Sequence, residues 1–123
     1  AKGNTSIGMD ELTHRLFVAA RSGQLVIFNS ETGKDLQALP IGQGVDDLAF
    51  DPVRKRIYVS CGGNGGEVDV YKEIDADHYE LLGKVPTAPG ASTARLSTEL
   101  NRYFVLTPAL GNKPAAVLIF EVQ

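Results

Sequence analysis

The sequence predicts an all-β protein built from three copies of one unit, and three observations carry that prediction. Arginine, an aliphatic or aromatic residue, an aromatic and valine recur as Arg15-Leu16-Phe17-Val18, Arg56-Ile57-Tyr58-Val59 and Arg102-Tyr103-Phe104-Val105, the arginines 41 and then 46 residues apart. A second apolar stretch follows each motif: "GQLVIF" (23–28), "GEVDVY" (66–71) and "AAVLIF" (115–120). Turn-forming residues separate these runs, namely Asp51-Pro52, the glycines of "CGGNGG" (61–66) and the polar "EIDAD" (73–77).

The correspondence extends through the whole unit. Met9, Phe50 and Leu96 align, and so do Asp10, Asp51 and Ser97. "LQALPIGQG" (36–44) answers "LGKVPTAPG" (82–90), so Pro40 pairs with Pro86 and Gly44 with Gly90, with Gly3 as the third glycine of that set. Taken alone, "DELTHRLFVAAR" (10–21) is rich in helix formers. Its partner "DPVRKRIYVSCG" (51–62) contains Pro52 and a β-branched run, which favours a turn and then a strand. Equivalent units share a conformation, so both stretches are read as turn and strand.

Each unit then resolves into four short strands. In the middle unit the first is "DDLAF" (46–50), the second "RIYVS" (56–60), the third "EVDVY" (67–71) and the fourth "YELLGKV" (79–85). Consecutive apolar residues in the second and third strands imply burial on both faces, as in sheets stacked face to face around an axis. Four strands in a period of roughly 40–45 residues are the signature of a β-propeller blade. The blades are expected at 3–40, 41–86 and 87–123, the last without its outermost strand, within one partial propeller spanning 1–123. Closed propellers have about four to eight blades, so this one is incomplete. The expected partners are therefore further blades, supplied by another copy or by the rest of a longer chain, with two copies making a six-bladed ring.

"RIYVSCGGNGGEVDVY" (56–71) resembles the YVTN-type bacterial propeller repeat, the place of its Tyr-Val-Thr-Asn taken here by Tyr58-Val59-Ser60-Cys61. With "GASTARLSTELNRYFVLTP" (90–108) and "VLIFEV" (117–122), the chain from Gly3 onward looks like the C-terminal part of such a protein. The resemblance implies a propeller of about seven blades, an exported (periplasmic or secreted) location, and no assigned chemistry. It carries over no catalytic residue.

Composition narrows the function classes. A net charge of −3 with no Lys or Arg run argues against nucleic acid as a partner. The longest apolar run, "AAVLIF" (115–120), is too short to span a bilayer. One cysteine permits no internal disulfide. Cys61 aligns with Ala20 and Thr107, so the position calls for a small residue, and both histidines (His14 and His78) fall in loops of the opposite face.

The candidate ligand-binding residues sit at the mouth of the central channel. Asp46 and Asp47 align with Thr5-Ser6 and with Ser92-Thr93, so each innermost strand opens with short oxygen-bearing side chains. Two carboxylates there suit a hard divalent cation, although capping of loop amides is the simpler role. Arg95 occupies a position held by Gly8 and Ala49, and its default partner is a carboxylate such as Asp47. "GGNGG" (62–66) is read as a hairpin, because a phosphate loop needs a lysine and a helix that are missing. No residue is assigned to catalysis, to a metal or to a cofactor. The expected function is a non-catalytic binding scaffold. The alternative is a fragment of a lactonase-like or other propeller hydrolase, which would need a general base that this face lacks.

Overall fold

The computed structural model describes residues 2–123, which form eleven strands and, among those residues, no helix. The first sheet contains β1 (Asn4–Asp10), β2 (Arg15–Ala20), β3 (Gln24–Asn29) and β4 (Asp35–Pro40). The second contains β5 (Val45–Asp51), β6 (Arg56–Cys61), β7 (Glu67–Asp75) and β8 (His78–Pro86). The third contains β9 (Ala94–Ser97), β10 (Arg102–Thr107) and β11 (Ala116–Glu121). Neighbours in sequence are neighbours in each antiparallel sheet, giving the orders β1-β2-β3-β4, β5-β6-β7-β8 and β9-β10-β11.

One turn is built three times. After the first strand of each sheet a short side chain accepts a backbone N–H: Asp10 Oδ1 from Leu12 at 3.1 Å, Asp51 Oδ1 from Val53 at 2.9 Å, Ser97 Oγ from Leu100 at 3.2 Å. The residue before each repeat arginine is then left-handed: His14 (φ 56°), Lys55 (57°) and Asn101 (54°). The carbonyls of these three accept the amides of Ser30, Glu73 and Val122. Such local side-chain bonds divert amides that a helix would use, which is why the helix formers of 10–21 make a turn and a strand. Gly3, Gly44 and Gly90 share φ values of 74°, 70° and 77°, so that aligned set answers a backbone requirement.

The core lies between sheets. Phe17, Leu25 and Ile27 of the first sheet meet Val45, Ile57, Val59 and Tyr71 of the second. Tyr58 and Val68 of the second meet Tyr103 and Val105 of the third, the two tyrosine rings stacked with centroids 5.2 Å apart. β6 is buried on both faces, as expected of a middle strand. β11 departs from that expectation: Val117 and Ile119 are 53% and 58% exposed, because among the described residues no sheet covers the far side of the third one.

Candidate functional site

The innermost strands β1, β5 and β9 lie side by side, and their N-terminal ends hold the residues singled out in sequence. The register of β1 against β2 skips Thr5, and that of β5 against β6 skips Asp46, the equivalent position. A bulge of this kind re-aims the extra side chain out of the ladder. Thr5 Oγ1 donates to the Val45 carbonyl of the second sheet at 2.9 Å. Asp46 reaches in both directions: one oxygen accepts from the Arg21 guanidinium of the first sheet, the other from Ser92 Oγ at 2.9 Å. Asp47 Oδ2 accepts the Ala94 amide of the third sheet at 2.8 Å. The Arg21 hydrogen bond is the main reason the Asp46 carboxyl lies below its ordinary range, with Ser92 assisting against partial burial.

Asp46 bridges the side chains of Arg21 and Ser92, and Asp47 caps the Ala94 amide of the third sheet. Ser92 joins that clasp, while Thr93 is exposed and offers its carbonyl to the Leu106 amide. Among the described residues no group of three His, Cys, Asp or Glu side chains is arranged to hold a metal ion.

Arg95 is a correction. It was expected to be paired with a carboxylate such as Asp47, yet it is exposed and makes no ion pair or side-chain hydrogen bond among the described residues. The physical reason is its place in the stack. Its equivalent Gly8 faces the following sheet so closely that a Cβ there would lie 2.4 Å from Leu48 Cδ2. Among the described residues no sheet follows the third, so the long Arg95 side chain fits there without meeting one.

Cys61 is fully buried, its Sγ 3.9 Å from the Val59 carbonyl oxygen. Burial, helped by the negative charges of Asp69 and Glu67, pushes its thiol up to about 12. A nucleophilic cysteine needs the opposite environment.

Sequence reasoning missed the charged groups on β7. Glu67, Asp69, Tyr71 and Glu73 alternate along that strand and face the first sheet, while Val68 and Val70 face the third. Asp69 Oδ2 accepts the Gly42 amide at 2.7 Å and Lys84 Nζ at 3.0 Å, and Lys84 also binds Glu67 Oε2 at 2.9 Å. Tyr71 donates its hydroxyl to the Pro40 carbonyl. Glu73 accepts from Thr13 Oγ1 at 3.3 Å and lies against Asp10, itself 3.7 Å from Lys55 Nζ. The available signal was the period-two spacing of acids inside a strand expected to be buried. Arg21 was missed as well; it stands where the other units carry Gly62 and Pro108, a lone cation at a small or rigid position.

No protein-family model and no curated protein matches the chain. Among solved structures, a chain of Kuenenia stuttgartiensis hydrazine synthase is similar, with a TM-score of 0.82 and 14% identity over 96% of this chain and 34% of that one. This chain therefore spans about a third of the length of that one. The likeness is one of fold alone, an all-β, β-propeller-like arrangement of antiparallel sheets.

Proposed function

We propose that the chain is a non-catalytic segment of a larger closed propeller of the YVTN type, three blades of it, acting as a binding or interaction scaffold. The observation that carries this is the outer edge of β11. In the first and second sheets the place beside the third strand is taken by β4 and β8. Beside β11 that place is open, and an apolar groove of about 370 Å³ runs there between the second and third sheets, lined by Tyr58, Val70, Leu82, Val85, Phe120 and Val122. An unpaired apolar edge of this kind is normally covered in a folded protein.

Both ends of the stack support the same conclusion. The far face of the first sheet exposes Ile7 (64%) and Met9 (42%), and that of the third exposes Val117 and Ile119. Within the chain, faces of this kind pack against another sheet of the same kind, which supports the reading that further sheets cover these two. The closed unit supplies the edge strand and the two flanking sheets, and the clasp of Arg21, Asp46 and Ser92 orders the channel mouth for a ligand or partner. Light scattering tests this at micromolar concentration. Assembly beyond 13.2 kDa is expected, and a cooperatively folding monomer of that mass overturns the proposal.

A further inference from the structure

The acids on β7 do more than fill an interface. Asp69 is 0% exposed and Glu73 4%, and each faces a second carboxylate, Glu67 and Asp10 respectively. Two oxygens in these pairs, Asp69 Oδ1 and Asp10 Oδ2, are buried with no hydrogen-bond partner. A carboxylate can only accept, so two ionised groups leave such atoms unsatisfied and repel each other. One proton per pair removes the repulsion and turns one acceptor of each pair into a donor toward the other carboxylate.

We propose that the inward face of β7 is a proton-operated clamp, in which one proton shared by Glu73 and Asp10 across the two sheets, and another shared within β7 by Glu67 and the Asp69 that holds Gly42, keep the second sheet against the first. The Glu73–Asp10 pair spans the two sheets, whereas the Asp69–Glu67 pair lies within β7 and reaches the first sheet's link through Asp69. Asp69 holds the Gly42 amide in the link that leaves the first sheet, and Glu73 holds Thr13 in that sheet's first turn. The clamp rests on the packing of those two sheets alone and does not depend on the proposed function.

The charged and titratable surroundings are unequal at the two ends. Around Asp69 stand Glu67, Lys84, Cys61 and Tyr71; around Glu73 stand Asp10, Lys55 and Tyr79, with Arg15 and Asp77 beyond the tyrosine. Burial, then the neighbouring Glu67, raises Asp69 from 3.8 to about 6. Burial, then Asp10, raises Glu73 from 4.5 to about 7. The partners move the other way. Glu67 is lowered by Asp69 and Lys84, and Asp10 is lowered because Glu73, Thr13 and Lys55 outweigh its burial. A carboxyl with a raised pKa binds its proton more tightly in the fold than in the unfolded chain. Stability from this source therefore falls as pH rises, from 3.8 to about 6 through Asp69 and from 4.5 to about 7 through Glu73.

The test is urea unfolding of the 123-residue chain, in the assembly it forms at one fixed concentration, from about pH 5 to about pH 8. His78, raised by its Asp75 partner, would slope the same way, so every protein carries His78→Asn. The unfolding constant is expected to rise by at least about tenfold across that range. Glu73→Gln should flatten the upper part of the profile, Asp69→Asn the lower part, and the double variant both. The protection of the Gly42 amide against hydrogen exchange, relative to its intrinsic rate at each pH, should fall over the same range. A flat parent profile, or variants that keep its slope, overturns the clamp. If the variants do not fold, carboxyl carbon NMR of the parent decides: titration of Asp69 and Glu73 well above the ordinary carboxylate range supports it, and titration at ordinary values overturns it.

Discussion

The Arg21 guanidinium at the end of β2 holds the Asp46 carboxylate at the bulge of β5, and through Ser92 that contact links all three sheets. The two side chains are 58% and 36% exposed, so water and salt screen the pair. A double-mutant cycle with Arg21→Gln and Asp46→Asn should give a coupling of about 0.5–1 kcal/mol, most of it lost near 1 M salt. Asp46 is lowered by Arg21, so this contribution is present above 3.8 and disappears as pH falls through the folded value. Because both Asp46 oxygens are already engaged, millimolar Ca²⁺ should leave the thermal midpoint unchanged.

Gly66 and Gly65 stand side by side with φ of 86° and 94°, yet their surroundings differ. A Cβ on Gly66 would lie 1.9 Å from the Ala88 carbonyl oxygen, whereas one on Gly65 meets nothing within 4 Å. Gly65→Ala should cost about 1 kcal/mol from the backbone alone. Gly66→Ala should cost more than about 3 kcal/mol, since the link between the second and third sheets must move. Chemical denaturation of the two variants checks the contrast, and equal costs would deny the close approach.

The repeated turn is not equally strong in each sheet. Asp51 is fully buried and accepts the amides of Val53 and Arg54 together with the Arg54 guanidinium, whereas Ser97 accepts the single amide of Leu100. Asp51→Ala should cost about 2–4 kcal/mol and Ser97→Ala about 0.5–1 kcal/mol, read from urea midpoints. Burial opposes the charge on Asp51, but these donors keep its carboxyl below the ordinary value. Its share of stability is therefore present above 3.8 and is lost as pH falls through the folded value.

Cys61 should resist a maleimide near pH 8 in the native protein and react quickly once unfolded, because burial and the acids at 67 and 69 keep the thiol protonated. Cys61→Ala should keep the fold and any binding activity, in line with Ala20 at the equivalent position. Fast native labelling, or loss of binding in a folded Cys61→Ala variant, would contradict this account.

The sequence by itself determined what local chemistry can specify. Three aligned copies locate the strands, place the turn before Arg15, Arg56 and Arg102, and single out Gly3, Gly44 and Gly90, because each copy meets the same backbone demand. Repetition also overrode the helix propensity of 10–21 and marked Cys61 as a small-residue position. Only the tertiary structure decided which side chains meet between sheets. Arg21 finds Asp46 across 25 residues and Thr13 finds Glu73 across 60, and no pattern within one unit encodes those encounters. Arg95 follows the same rule: its alignment with Gly8 and Ala49 suggested a carboxylate partner, but meeting one depends on a neighbouring sheet. The acids of β7 are the converse case, since their alternation was visible and the first sheet's packing alone turned a half-polar strand into two enclosed carboxyl pairs.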